Sequence, residues 1–187
     1  MMTMERLEHL IGLAVSADCF EKEIISTFCG DYYFPYYSLF ALLGSSVDGG
    51  IAVELGVDKG VGSLSLAMGG LKVFGVEQND KECFNLQANP SLEFLKCSST
   101  PVPKQIVEAG EISVLHLDTE HSYSQVNAEF EAYKPYLADG AVVCFDDTNA
   151  MEGEVLRYVR ELPYERIEDD RLHPVCGYAV IIYRKGI

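Results

Sequence analysis

The stretch Val53-Glu-Leu-Gly-Val-Asp-Lys-Gly-Val-Gly62 decides the fold class of this 187-residue chain. It continues the apolar run 51–55, which is typical of a buried strand, and its glycines come where a helix should begin. Gly56 permits a tight turn and close approach of a ligand, while Gly60 and Gly62 free the backbone at the helix start. This order predicts the first unit of an open α/β sheet with a ligand at the turn. A plain structural turn would account for the glycines about as well.

Two acids next to this turn point to a ligand. Glu54 is a charge inside an apolar strand, which is costly unless something uses it. Glu77 ends the next apolar run, and an acid about 20 residues past a glycine turn can accept hydrogen bonds from a ribose diol. The dinucleotide fingerprint would need glycine at position 58, where Asp58 stands, and no phosphate-loop GK[ST] follows. We therefore expect a nucleoside-containing cofactor, with a solvated strand-end acid as the alternative for Glu77.

Seven apolar runs extend the pattern along the chain. They cover residues 51–55, 72–76, 92–97, 113–117, 141–145, 164–167 and 177–183. Helical patterns lie between them, over 80–87, from a Ser124 cap to about 133, and over 154–162. The alternation predicts an α/β fold, a Rossmann-like, doubly wound, seven-stranded sheet. Only a polar loop separates the last two runs, so we expect them to be antiparallel.

Residues 1–48 differ from the rest and are predicted to form an N-terminal helical cover on a sheet domain over 49–187. Asp18 and Glu21 resemble a capping box for a helix to about Phe28. An aromatic cluster follows: Tyr32, Tyr33, Phe34, Tyr36 and Tyr37. Such a cluster usually packs in a core, but Tyr36 or Tyr37 could instead form the wall of an acceptor pocket.

The charge excludes several classes of partner. The chain has 14 Lys+Arg against 29 Asp+Glu, a formal net charge of -15. Such a surface repels phosphate backbones and anionic lipid, so we expect no nucleic-acid and no membrane partner. The six cysteines form no CxxC pair, which favours reduced thiols in a cytoplasmic protein. The N-terminal apolar run is too short and too acidic for a signal peptide.

Three carboxylates follow two strands that should be neighbours. Asp118 ends the run 113–117, and Asp146 and Asp147 end the run 141–145. Ligands of open α/β sheets bind at this edge, where the carboxylates would repel one another. A hard cation with oxygen ligands would relieve the repulsion: Mg²⁺ first, with Mn²⁺ or Ca²⁺ as alternatives. Otherwise, the aspartates only end a strand and cap a turn.

The ordered set of motifs resembles the class I S-adenosylmethionine-dependent methyltransferases. The elements are Glu54-x-Gly56-x-x-x-Gly60, Glu77, Leu117-Asp-x-x-His-Ser-Tyr123, and Asp-Gly140 leading to Phe145-Asp-Asp147. They look like the small-molecule O-methyltransferase branch with a D-G-x-H-x-Y motif, which is related to sugar and macrolide-sugar O-methyltransferases. Thr119 stands at the glycine of that motif, and Ser98-Ser99 stands where Asp-Ser commonly follows the third strand.

The resemblance implies roles for these residues. Glu54, Gly56 and Gly60 would shape the methionine side of an S-adenosylmethionine site, Glu77 would take the ribose, and Ser98 could meet the adenine. Asp118, Asp146 and Asp147 match the ligands of Mg²⁺ in metal-dependent O-methyltransferases. His121 lies where related enzymes place a catalytic lysine or histidine and would act as general base beside the catalytic Asp118. Otherwise it would cap the next helix or hold Asp118 in place.

We therefore predict methyl transfer from S-adenosylmethionine to a hydroxyl of a small molecule, assisted by Mg²⁺ or Mn²⁺. A non-catalytic binding module and a nicotinamide-dependent oxidoreductase are the alternatives. The chain is short for an enzyme with its own lid, so the sequence leaves a homodimer open. Tyr123 is expected to pack or to form a hydrogen bond behind the metal site. His9, His116 and His173 have no partner visible in the sequence and are interpreted as structural or surface residues.

Overall fold

The computed structural model describes residues 1–16, 25, 34–81, 83 and 89–187. The helices are α1 Met4–Val15, α2 Pro35–Ser46, α3 Val61–Met68, α4 Lys104–Ala109, α5 Tyr123–Tyr133 and α6 Glu154–Glu161. The strands are β1 Ile51–Leu55, β2 Lys72–Val76, β3 Leu92–Leu95, β4 Ile112–Leu117, β5 Leu137–Asp146, β6 Arg166–Glu168 and β7 Tyr178–Ile182. Most of the predicted helix from Asp18 to Phe28, Tyr32 and Tyr33, and most of the predicted helix 80–87 lie outside the described residues.

The strands form one sheet in the order β3-β2-β1-β4-β5-β7-β6. β1 to β5 run parallel, and β7 is antiparallel to both β5 and β6. This confirms the predicted seven-stranded, doubly wound sheet with an antiparallel end. The chain winds outward from β1 to β3 and then returns to pair β4 with β1. The reversal opens a crevice at the carboxyl ends of β1 and β4, where ligands of such sheets bind.

The strand bounds agree best with the sequence pattern where strands are buried on both faces. β1 and β2 coincide with the predicted runs. β5 differs most, because it begins at Leu137, which pairs with Ile112 before the register shifts. Gly140, with φ of 82°, takes up the irregularity inside this strand. Helix α5 ends at Tyr133, as predicted, and Gly140 lies within the strand instead of in the connection before it.

Helix α5 begins at a different cap from the predicted one. The Ser122 side chain accepts a hydrogen bond from the Gln125 backbone N–H at 3.3 Å, while Ser124 is exposed. The inner face of the helix is as predicted, with these residues buried: Val126, Phe130 and Tyr133. The predicted apolar face of α6 is also buried through Val155, Tyr158 and Val159.

Two apolar cores lie on opposite faces of the sheet. Helices α1 to α3 cover one face, and α4 to α6 cover the other. Helix α2 approaches α3 closely, since a Cβ on Gly44 would lie 2.6 Å from the Leu66 carbonyl oxygen. This packing places the start of α2 beside the carboxyl ends of β1, β4 and β5. Among the described residues, no helix has the length and apolar character needed to span a membrane.

Candidate active site

The turn after β1 lies against the end of β4. Gly56 has φ of 80° and donates its backbone N–H to the Val76 carbonyl at 3.0 Å. The Asp118 N–H donates to the Leu55 carbonyl at 2.9 Å. A Cβ on Gly56 would lie 1.8 Å from the Asp118 carbonyl oxygen. Glycine is therefore required here both for its left-handed backbone and for the close approach of the Asp118 backbone.

We expect Gly56→Ala to destabilise the fold by about 2–4 kcal/mol, because it adds overpacking to left-handed strain. Gly49→Ala is the matched control, since Gly49 has φ of 80° and a Cβ there would have no described atom within 4 Å. Only the strain applies there, and a loss of about 1 kcal/mol is expected. Urea unfolding of both variants checks this difference. Equal losses would contradict the close contact with Asp118.

The buried charge of Glu54 has two partners. Its carboxylate accepts a hydrogen bond from the Ser63 hydroxyl at 2.5 Å and lies 3.1 Å from His116 Nδ1. A Cβ on Gly62 would lie 2.0 Å from Glu54 Oε1, so this glycine makes room for the carboxylate. Glu54 therefore links the glycine turn to β4 instead of facing solvent. Gly60 is the left-handed residue before α3, with φ of 83°.

Glu77 lies at the end of β2 and is 7% exposed. Its Oε2 accepts from the backbone N–H groups of Val57 and Asp58 at 3.2 and 3.4 Å. Its Oε1 accepts from the Asn79 backbone N–H and side-chain amide at 2.9 and 3.2 Å. The carboxylate thus organises the glycine turn at the rim of a cavity.

That cavity has a volume of about 670 Å³ and brings together most of the residues predicted to bind the cofactor. Its lining includes Gly56, Glu77, Ser98, Asp118 and Gln125. Ser98 is exposed to the cavity, and Gln125 donates to the Ser99 hydroxyl at 3.3 Å. A second cavity of about 380 Å³ adjoins it, and Asp118 lines both.

The second cavity is the one that the aromatic cluster forms. Phe34, Tyr36 and Tyr37 line it together with Glu54 and Gly62. Tyr36 is 3% exposed and stacks on Tyr178 with the ring centroids 4.9 Å apart. Burial first, and then the charges of Asp146 and Asp118, raise the pKa of the Tyr36 hydroxyl well above 10. Both interpretations of the cluster therefore apply to Tyr36, which packs in the core and also lines a cavity wall.

Two histidines connect the three predicted aspartates. His121 Nε2 is 3.1 Å from Asp118 Oδ1, and its Nδ1 is 3.3 Å from Asp147 Oδ2. His173 Nδ1 is 2.8 Å from Asp146 Oδ1 and 3.5 Å from Asp147 Oδ1. His121 therefore contacts two of the aspartates, and so does His173.

A third histidine completes this group. The His116 ring is fully buried, and its Nε2 has no hydrogen-bond partner among the described residues. Donor atoms of His116, Asp118 and Asp146 lie within 4.8 Å of one another. One nitrogen of this imidazole is thus held by Glu54, while the other stays available among carboxylates. Histidines that bind metals are commonly oriented in this way, by a carboxylate at the nitrogen that does not contact the metal.

The crowding of charges shifts the ionisation of the group. Burial and the charge of Asp146 raise the pKa of Asp118 to about 6. Burial opposes protonation of His121, but its hydrogen bond to Asp118 and the nearby carboxylates prevail, and its pKa is raised above 6.5. Desolvation likewise opposes protonation of His173, but the bond to Asp146 outweighs it, so the pKa of His173 is also raised. Positive charge is therefore favoured at this edge of the sheet, as imidazolium or as a bound cation.

The interpretation of His116 and His173 as structural or surface residues was incomplete, since both belong to the site. His116 could have been found, because it lies two residues before Asp118 and so shares its face of β4. His173 had no such signal, because its position depends on the antiparallel return of β7. His9 is exposed on α1, as expected.

Two residues of the motif make contacts that were not predicted. Tyr123 does not pack behind the carboxylates: its hydroxyl donates to Glu161 at 2.5 Å, and its ring meets Tyr158 on α6. Thr119, which stands at the motif glycine, donates its hydroxyl to the buried Glu129 carboxylate at 2.9 Å. This bond joins the end of β4 to α5. The backbone of His121 is left-handed, with φ of 62°.

Comparison with known proteins identifies the class. The family model described as "Methyltransferase domain" matches residues 53–148, about half of the chain. The match begins in β1 and ends just after the Asp146-Asp147 pair. The chain therefore belongs to this methyltransferase family. No curated protein matches the sequence.

Solved structures share the fold at low identity. Cofactor-bound Rv0187 from MTB is 15% identical and has a TM-score of 0.64, with 98% of this chain and 90% of that chain covered. The O-methyltransferase from Bacillus cereus in complex with SAH is 14% identical and has a TM-score of 0.62, with 98% and 93% covered. CalS11, a TDP-rhamnose 3'-O-methyltransferase of calicheamicin biosynthesis, is 16% identical and has a TM-score of 0.64, with 100% and 97% covered. At identities this low, the likeness shows a shared fold and nothing further.

Proposed function

We propose that this protein transfers a methyl group from S-adenosylmethionine to a hydroxyl of a small molecule, with the help of a divalent cation. The observation that carries the proposal is the position of Asp118. It lines both cavities, adjoins the glycine turn and contacts His121. A cofactor on one side and an acceptor on the other would meet at this residue. The O-methyltransferases among the structural neighbours support a hydroxyl acceptor, and CalS11 supports a sugar as its class.

The described residues provide contacts for both parts of the cofactor. In the larger cavity, Glu77 would accept hydrogen bonds from the ribose hydroxyls, and Ser98 would contact the adenine. On the methionine side, Gly56 and Gly60 would allow close approach, and Glu54 would form part of the floor. S-adenosylmethionine, when bound, supplies an electrophilic methyl group. The work of the protein would be to hold the acceptor oxygen in line with it.

The donor set also fits a divalent cation. Carboxylate oxygens of Asp118 and Asp146 lie within 4.8 Å of a His116 nitrogen, and Asp147 follows directly in the chain. The buried His116 Nε2 has no hydrogen-bond partner among the described residues. Mg²⁺ or Mn²⁺ at the three aspartates would lower the pKa of an acceptor hydroxyl. His121 would then accept the proton of that hydroxyl as general base. The formal net charge of -15 argues for a small acceptor instead of a nucleic acid.

The test is methyl transfer from tritium-labelled S-adenosylmethionine to a panel of hydroxyl compounds that includes glycosides and nucleotide sugars. Label in an acceptor, dependent on the protein, is the expected result. S-adenosylhomocysteine at about 100 times its dissociation constant should add about 2.7 kcal/mol of stability. Binding without transfer to any acceptor would favour a non-catalytic module, and absence of binding would reject the proposal.

Glu77→Gln tests the ribose contact. The variant keeps the volume of the side chain but loses the charged acceptor, so S-adenosylhomocysteine should bind about 10- to 100-fold more weakly by calorimetry. Glu93→Gln on β3 is the control, since its carboxylate pairs with Lys72 at 3.1 Å on a half-exposed surface. Equal affinity of Glu77→Gln and the parent protein would show that Glu77 organises only the turn.

A further inference from the structure

A second group of donor atoms lies beside the aspartates and has a different chemistry. Atoms of Asp147, His173 and Cys176 lie within 4.8 Å of one another. The group therefore combines one oxygen, one nitrogen and one sulfur donor. His173 is buried, and the other two residues are half-buried, so the group is reachable from solvent on one side.

Two loops hold these donors in place. The loop after β5 carries Asp147, and the loop before β7 carries His173 and Cys176. The Asn149 N–H donates to the Cys176 carbonyl at 2.7 Å, and the Thr148 N–H donates to the Gly177 carbonyl at 3.4 Å. These bonds tie the loops together independently of any ligand.

The turn from His173 to Cys176 has the spacing of a metal-binding turn. Two residues separate the imidazole from the thiol, as in the two-residue spacing of paired zinc ligands. The Gly177 N–H donates to the His173 carbonyl at 2.9 Å and closes the turn. Gly177 has φ of 79°, and a Cβ there would lie 2.6 Å from Thr148 Oγ1. A glycine directly after the cysteine is thus required for the loops to meet.

Other contacts orient the imidazole. The Phe34 ring meets the His173 ring edge-on with centroids 4.1 Å apart, and the ring Nδ1 lies 2.8 Å from Asp146 Oδ1.

We propose that Asp147, His173 and Cys176 form a binding site for Zn²⁺ that adjoins the aspartate group and shares Asp147 with it. Thiolate and imidazole select Zn²⁺ over Mg²⁺, which prefers oxygen ligands. Three protein ligands leave a fourth position open, as in zinc sites that bind water or a substrate. Binding would release the Cys176 proton to solvent, so affinity should rise with pH.

The experiment uses the full chain after removal of metal with a chelator. Zn²⁺ is titrated by calorimetry, and bound metal is counted by elemental analysis after gel filtration. Co²⁺ is titrated in parallel, because a thiolate–cobalt bond gives a charge-transfer absorption that oxygen ligands do not give. The variants are Cys176→Ser and His173→Gln, with Cys97→Ser as a control for a half-buried thiol elsewhere. Circular dichroism checks that each variant is folded.

One Zn²⁺ per chain and a charge-transfer band with Co²⁺ are expected. Cys176→Ser should remove the band and lower the affinity for Zn²⁺ by at least about tenfold, and His173→Gln should lower that affinity similarly. Even changes to residues that only orient a ligand lower metal affinity by about 10- to 100-fold. Cys97→Ser should change neither. The absence of a band in the parent protein would overturn the proposal without requiring any variant to fold.

Asp118→Asn separates this site from the cation of the proposed function, because Asp118 is not among the three donors. Zn²⁺ binding that survives Asp118→Asn and is lost in Cys176→Ser supports the separate site. Binding that is lost in Asp118→Asn and kept in Cys176→Ser would place the ion at the aspartates. That result would reject the zinc site and leave the proposed cation site standing.

Discussion

Replacement of His121 by asparagine is expected to lower turnover by about two to four orders of magnitude, with S-adenosylmethionine affinity nearly unchanged. A hydroxyl acceptor must lose its proton during methyl transfer, and a general base contributes an effect of this size. His121 contacts both Asp118 and Asp147 through its two ring nitrogens. It is therefore held beside Asp118, which lines both cavities and where the acceptor oxygen would lie.

Asparagine is the informative substitution because the backbone of His121 is left-handed, with φ of 62°. Asparagine tolerates this conformation better than most residues, so the loss of the imidazole is not confounded by strain. Alanine would add a backbone effect to the chemical one. His9→Asn on the exposed face of α1 serves as the control for a histidine outside the site.

The pH dependence gives a second measurement of the same role. The pKa of His121 is raised above 6.5 because Asp118 and Asp147 outweigh the effect of burial. A base must be neutral to act, so turnover should rise with pH through this raised pKa, and His121→Asn should lack that limb. A folded His121→Asn protein with near-parental turnover would rule out the base. Loss of stability with unchanged turnover would indicate a structural role.

The sequence predicted the sheet well because its central strands are buried on both faces. Such strands read as continuous apolar runs, and the runs 51–55 and 72–76 match β1 and β2 in both bounds. The cap of α5 was misplaced by two residues, since Ser122 and Ser124 are both suitable caps. The early start of β5 was missed, because it depends on a register shift opposite Ile112 that no local pattern records.

The aspartate group was predicted for a related reason. Residues that follow parallel neighbouring strands meet at one edge, so Asp118 and Asp146 had to be close once β4 and β5 were neighbours. The histidines that contact these aspartates could not all be predicted in this way. His173 comes 27 residues after Asp146 and returns only because Tyr178 pairs with Asp146 in the antiparallel register. The repulsion among the carboxylates is therefore reduced by imidazoles that include one remote in sequence, a contribution that was not predicted.

The carboxylates of the aspartates also lead to a prediction about the divalent cation. With a divalent cation at the aspartates, excess chelator should lower turnover by about two orders of magnitude or more, and Mg²⁺ or Mn²⁺ should restore it. A Lewis acid at the acceptor oxygen supplies several kcal/mol of transition-state stabilisation, and each 1.36 kcal/mol corresponds to a factor of about ten. Asp146→Asn should abolish the response to both chelator and metal.

Asp139→Asn is the matched control, since it removes the same charge from an exposed position on the same strand, where Asp139 accepts from the Lys185 backbone N–H at 3.1 Å. Protons compete with the cation at Asp118, whose pKa is about 6. Cation affinity should therefore fall as the pH drops below about 6. Burial raises this pKa most and the charge of Asp146 raises it further, so Asp146→Asn should also lower the pKa of Asp118. Full turnover of the parent protein in excess chelator would mean that the imidazoles of His121 and His173 balance the carboxylates and that transfer needs no metal.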